Sequence, residues 1–173
     1  MAAEIRRAEP ADAATIALLG RITFVETFGH LFHDQADELR AYLDATFGVA
    51  KLEDSLANAR NHYWLASLRR LPVGFAKLKL PSPPPQEQYR NAAQLQKIYV
   101  LREFLDRGVG RALLYAVMAV AAAHAPLLWL DVLRENARAI RFYARHGFVV
   151  SGEDSYAIGA QRFQFHIMQR HMS

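Results

Sequence analysis

Residues 93 to 133 constrain this chain more than any other stretch. Ala93 to Leu101 reads as a strand, Arg107-Gly108-Val109-Gly110 as a tight turn, the apolar segment to about His124 as a helix, and Leu127 to Leu133 as a second strand. Strands joined by so short a helical crossover should run parallel, with a right-handed connection. Leu127-Leu128-Trp129-Leu130-Asp131-Val132-Leu133 is nearly continuous in apolar residues, the pattern of a strand covered on both faces. In the first strand Leu95 is followed by Ile98 and Val100, so the alternation slips around Gln96-Lys97, as a β-bulge would make it do.

The remaining segments add strands and a set of N-terminal helices. Glu4 to Ala8 reads as a short strand ended by Glu9-Pro10, and Pro10 suits the first turn of a helix with an apolar face at Ile16, Leu19, Ile22 and Phe24 to Phe28. A second helix is predicted from Asp34 as N-cap to a stop at Gly48, and a third over Leu52 to Arg60. His62 to Leu68 and Val73 to Leu80 form an antiparallel hairpin turned at Arg69-Arg70-Leu71-Pro72. Pro81-Ser82-Pro83-Pro84-Pro85-Gln86-Glu87-Gln88 cannot continue a sheet and reads as a solvated loop. After a helix that Asn136 caps or opens and that continues through Ala139, Phe142 and Tyr143 to Gly147, Phe148 to Ser151 and Arg162 to Met168 close the chain as strands turned around Gly152 and Gly159. The expected class is α/β with a mixed sheet of about seven strands, in a single domain over residues 1–173.

Composition removes several functions. The chain has no cysteine, which excludes disulfides and thiol catalysis. The longest apolar run, Ala112 to Ala123, is shorter than the ~17 residues of a membrane span, and no secretory leader pattern opens the sequence, so no membrane partner and a cytoplasmic location are expected. A net charge of +4 suits an anionic ligand but is too small and too dispersed for nucleic acid. His30 and His33 have a spacing that could serve a metal, but no further ligands cluster with them, and no metal is expected.

The glycine turn opens a helix, whose first backbone N–H groups lack partners and sit at the positive end of the helix dipole. That makes an anion cradle, and Arg107 and Arg111 add charge beside it. It is not a P-loop, because no Gly-Lys-Ser/Thr follows, and it is not the dinucleotide fingerprint, because Leu113 stands where a third glycine would be required. Further along, Asn136, Ala139, Phe142, Tyr143, Gly147 and Phe148 occur as Asn-x-x-Ala-x-x-Phe-Tyr-x-x-x-Gly-Phe. On a helix Asn136 and Tyr143 would lie two turns apart on nearly the same face.

These two stretches together resemble the acetyl-CoA site of the GNAT superfamily of N-acetyltransferases, and the resemblance spans roughly residues 4 to 170. The superfamily's Gln/Arg-x-x-Gly-x-Gly/Ala motif falls on Leu105-Asp106-Arg107-Gly108-Val109-Gly110, with Leu105 replacing the usual polar first residue. The N-terminal half, with Thr23-Phe24-Val25-Glu26-Thr27-Phe28 and Tyr42-Leu43 ahead of Phe47-Gly48, is similar to PaiA-type spermidine and spermine N-acetyltransferases. The resemblance implies a splayed parallel pair in the sheet, with the pyrophosphate of acetyl-CoA on the N–H groups from Arg107 through Gly108, Val109, Gly110 and Arg111 to Ala112. It also implies that the pantetheine arm lies along Ile98, Tyr99 and Val100, with Asn136 at the cofactor and Tyr143 serving the departing thiolate. Direct attack by a small primary amine, polyamine-like as the first guess, would complete the reaction.

Such an amine, with an ordinary pKa of about 10.4, attacks only when neutral. Related enzymes often carry a carboxylate on the strand before the glycine turn, but Gln94 and Gln96 stand there instead. Glu26, Glu103 and His62 remain candidates for the base. Acidic Glu26, Asp34, Asp37 and Glu38 could attract a polyamine or could simply form a wet helix face. Two alternatives stay open, an acetyltransferase for protein or peptide N-termini and a non-catalytic acyl-CoA sensor. A homodimer is compatible with the sequence, which does not demand one.

Overall fold

Local chemistry sets the first half of the chain. The computed structural model describes residues 2–85 and 89–173. Strand β1 (Glu4–Arg7) runs into a 3-10 turn at Pro10–Asp12, where the Asp12 carboxylate accepts the Glu9 N–H at 2.8 Å, and helix α1 (Ala13–Phe28) follows directly. Asp34 does not cap the next helix: a 3-10 turn at Gly29–Phe32 delays it, and α2 (Ala36–Phe47) starts after Gln35. Gly48 stops α2 and, with extended backbone, also opens α3 (Val49–Ala57), which therefore starts ahead of the expected Leu52.

The hairpin of β2 (Asn61–Leu68) and β3 (Leu71–Lys79) turns in two residues, Arg69 and Arg70, both with positive φ (49° and 67°). That left-handed pair matches the strand twist, so β3 resumes at Leu71 and takes Pro72 into the strand instead of leaving it in the turn. Strand β4 (Ala93–Val100), helix α4 (Val109–His124) and strand β5 (Leu127–Leu133) form the expected unit, and β4 pairs parallel to β5 at Ala93–Leu128 and Gln94–Trp129. Helix α5 (Ala137–Arg145) leads to β6 (Val149–Ile158) and β7 (Gln161–His171), an antiparallel pair. Gly152 is not a turn: it lies within β6 opposite Ile167, just after a register shift between Val150 and Gly152, and the strand continues to a turn at Gly159. The seven strands form the expected mixed sheet, in the order β1-β2-β3-β4-β5-β7-β6. No helix among the described residues is long and apolar enough to cross a membrane.

The backbone gathers into two compact units, residues up to Leu78 with Lys97–Ala119, and Lys79–Gln96 with Val120–Ser173. The first has an aromatic core in which the Phe24 ring meets Phe28 at 4.9 Å and Tyr42 at 4.7 Å, with Phe47 beside them. Gly20 makes room for it, because a Cβ there would lie 2.3 Å from the Phe47 ring. Gly20→Ala is expected to destabilise the protein by roughly 1–3 kcal/mol, since overpacking outweighs the better helix propensity. A thermal melt checks this, with a fall of ~2–4 °C per kcal/mol.

The second unit packs Ala92, Leu127, Trp129 and Ile167 with Tyr89 against them. The loop expected to be solvated is anchored there, and Ser82 and Pro84 are buried. The Ser82 N–H donates to the Ala92 carbonyl at 2.8 Å, its hydroxyl to Gln94 Oε1 at 2.8 Å, and Trp129 Nε1 donates to the Ser82 carbonyl at 2.7 Å. A proline-rich segment has too few amides for a ladder, but its carbonyls still accept, and these bonds hold it down. Gln86, Glu87 and Gln88 lie outside the described residues.

Candidate active site

The first unit carries the anion cradle. Leu101, just past the end of β4, donates its N–H to the Val73 carbonyl at 2.9 Å, and a 3-10 turn at Arg102–Phe104 follows. Asp106 and Gly108 then take positive φ (61° and 79°), which swings the chain into α4, and buried Val109 anchors the first turn. The first helical bond runs from Ala112 N–H to the Gly108 carbonyl at 3.0 Å. Ala112 is therefore spent, and the amides that helix geometry leaves without intrahelical partners are those of Val109, Gly110 and Arg111. Arg107 and Arg111 are exposed beside them, with the Arg107 guanidinium over the Phe104 ring at 5.4 Å. Leu105 and Asp106 are exposed at the approach to the turn.

Ile98, Tyr99 and Val100 are half-buried on β4. The Tyr99 ring packs edge-on to Phe75 at 5.6 Å, so the side chain belongs to the core and the main chain is what this residue can offer a ligand. A Cβ at Gly74 would approach the Tyr99 carbonyl at 2.6 Å, so only glycine fits beside it.

The second unit carries Asn136 and Tyr143. Asn136 is the N-cap of α5, as the sequence allows, with its Oδ1 accepting from Ala139 N–H at 3.2 Å. The cap uses the oxygen and leaves the Nδ2 donors. Tyr143 is buried between Phe142 and Phe148, with ring centroids at 5.3 and 5.7 Å, and burial pushes its hydroxyl pKa well up. Gly147, at φ 85°, ends the helix.

Gln94 and Gln96, which replace the expected carboxylate, bond each other and the anchored loop: Gln94 Oε1 accepts from Ser82 and from Gln96 Nε2 at 3.2 Å. Neither can take a proton. The neighbouring strand does carry a carboxylate, Asp131, which sequence reasoning passed over although it is the one acid in the apolar run of β5. Strand register places Asp131, Asp154, Tyr156, Phe165 and Ile167 on one face of the second unit. The Tyr156 hydroxyl donates to Asp131 Oδ2 at 2.9 Å. Asp131 Oδ1 is buried with no hydrogen-bond donor among the described residues. Burial, reinforced by the Asp154 charge and opposed by the Tyr156 bond, raises the Asp131 pKa. A buried carboxylate oxygen without a protein donor is costly, so Oδ1 is open to a donor from a bound molecule or water.

The other base candidates have contacts of their own. Glu26 accepts the Arg102 N–H at 2.7 Å while the Arg102 guanidinium donates to the Glu26 carbonyl. His62 Nδ1 faces the Arg7 guanidinium at 3.0 Å, and Glu103 is exposed in the 3-10 turn. Asp34 and Asp37 are exposed, and no group of three or more metal-ligating side chains is present among the described residues.

Residues 26–148 match the model of the acetyltransferase (GNAT) family. The chain belongs to that family. It is 25% identical over 152 residues to an uncharacterized N-acetyltransferase of Lactobacillus delbrueckii subsp. lactis, covering 87% of each chain. With an uncharacterized N-acetyltransferase of Mycobacterium tuberculosis it shares 29% identity over 137 residues, 79% of this chain and 83% of the other. Among solved structures, PaiA N-acetyltransferase from Thermoplasma acidophilum in complex with coenzyme A superposes with a TM-score of 0.80 at 21% identity, covering 99% of both chains. That likeness shows the GNAT fold. For a GNAT acetyltransferase the chemical demands are a seat for the acyl donor, a group that takes a proton from the amine, and a group that stabilises the leaving thiolate.

Proposed function

We propose that this chain is an acetyl-CoA-dependent N-acetyltransferase that acetylates the primary amine of a small molecule by direct attack, working as a single domain in the cytoplasm. The observation that carries this reading is the orphaned, buried Oδ1 of Asp131 in the unit that also holds Tyr143. Acetyl-CoA, when bound, supplies an activated thioester. The amides of Val109, Gly110 and Arg111, with the Arg107 and Arg111 guanidinium groups, fit its pyrophosphate. The main chain from Ile98 to Val100 offers bonds to an extended arm, an N–H near Val100 can polarise the carbonyl, and Asn136 offers Nδ2. Asp131 takes the amine proton at Oδ1, and the Tyr143 hydroxyl donates a hydrogen bond to the departing sulfur.

The Asp131 carboxylate weakens the alternative of a non-catalytic acyl-CoA sensor, whose support is the pair of amides at Gln94 and Gln96. A polyamine, implied by the resemblance of Thr23 to Phe28 and Tyr42-Leu43 to PaiA-type enzymes, is one acceptor to try. A thiol-release assay with acetyl-CoA against spermidine, lysine and short peptides tests the reading. Turnover with a small amine is expected, turnover confined to peptides would move the acceptor to protein N-termini, and tight CoA binding without any turnover would establish the sensor.

A further inference from the structure

Lys97, on β4 in the first unit, has an unusual setting. Its ammonium stands over the Phe47 ring at 5.1 Å and the Tyr99 ring at 5.9 Å. Phe47 is buried with its ring close to Gly20, and Tyr99 lies edge-on to Phe75. The charge that acts on Lys97 is another cation, Lys51 of α3, and among the described residues no carboxylate pairs with it. Burial and Lys51 together lower its pKa to about 8. Ring faces stabilise a cation only modestly and satisfy none of its three N–H donors. A buried ammonium that feels a second cation and has no counter-ion is stabilised when an anion joins it.

We propose that Lys97, assisted by Lys51, holds a carboxylate on the acceptor, so that the substrate is an amino acid and not a polycation. The assignment of this anion to the acceptor rests on the N-acetyltransferase reading. A carboxylate supplies the missing counter-charge and accepts the unused N–H donors, while the Phe47 and Tyr99 rings exclude water around the pair. A polyamine brings more positive charge to a place that already has two cations.

The test is calorimetric titration of the CoA-loaded protein with ω-amino acids from glycine to 6-aminohexanoate, with n-alkylamines of matching length, and with spermidine. Wild type, Lys97→Met and Lys97→Arg are compared, and acetyl transfer is followed in parallel. At least one amino acid should bind wild type tenfold or more tightly than its alkylamine and than spermidine. Lys97→Met should erase that preference and Lys97→Arg should keep most of it. The melting temperature of Lys97→Met should equal or exceed that of wild type, because an apolar chain of similar size replaces an unpaired charge. Equal or weaker binding of every amino acid to wild type overturns the proposal, as does a preference that survives in Lys97→Met. Lys97-dependent binding with no transfer to any amine keeps the anion site and removes the transferase reading.

Discussion

Asp131→Asn should lower kcat by about 10²–10³-fold at neutral pH, the scale of a lost general base. Asparagine has the same shape and can still accept the Tyr156 hydroxyl bond, so the fold should survive. What disappears is the group that takes the amine proton. The sign of the pH dependence follows. In the wild type, burial raises the Asp131 pKa, so the acidic limb of the rate profile lies above the ordinary carboxylate range, and activity is lost as pH falls through it. Without the carboxylate the rate should climb with pH toward the amine's own pKa of about 10.4, where the free amine forms unaided. Initial rates from pH 6 to 10 check both features. A variant that retains a third of wild-type kcat, or an unchanged acidic limb, removes Asp131 from the reaction.

Tyr143→Phe should lower kcat well over tenfold while CoA affinity changes little. A phenol of ordinary pKa, about 10, passes its proton to a thiolate of pKa about 8.5 uphill by roughly 2 kcal/mol. Burial raises the Tyr143 pKa further, which makes full transfer worse and leaves hydrogen-bond donation as its contribution. Loss of a single donor to a developing anion costs roughly 2–4 kcal/mol when the site is preorganised. Phenylalanine keeps the ring between Phe142 and Phe148, so stability should hold. Steady-state kinetics with a parallel CoA titration decide it, and an unchanged kcat sinks the role.

Stability provides a separate measure of Lys97. Its pKa of about 8 lies below the ordinary lysine value of 10.5, so the unfolded chain binds more protons between those limits. Wild-type stability should therefore rise with pH from about 8 to 10.5 relative to Lys97→Met, by at most ~3.5 kcal/mol at ~1.4 kcal/mol per pH unit. Denaturant melts at pH 7 and pH 10 for the two proteins give the difference. A gap that does not change with pH would show that Lys97 is ordinarily solvated.

Much of the architecture is legible in the sequence because its signals are local. Periodicity locates every strand and helix, most ends to within a few residues, and the glycine turn marks the head of α4. Departures arise where a distant partner intervenes. Ser82 reads as solvated because its proline-rich neighbours cannot join a ladder, yet Gln94 and Trp129 hold it. Gly152 reads as a turn because glycine so often makes one, yet pairing with β7 carries β6 through it and well past Ser151. Asn136 reads as the cap or first residue of its helix, and it is the N-cap, one position ahead of α5.

The linear chain already contains the parallel strand pair of the crossover, the cradle amides of α4, and Tyr143 within its motif, since each depends on backbone geometry or on residues a few positions apart. Asp131 and Lys97 are different. An acid in an apolar strand and a lysine beside an aromatic are ordinary as letters. Their orphaned oxygen, missing counter-ion and shifted pKa values arise from desolvation and charge contributed by residues far away in the chain, and those exist only after the strands have paired and the helices have packed.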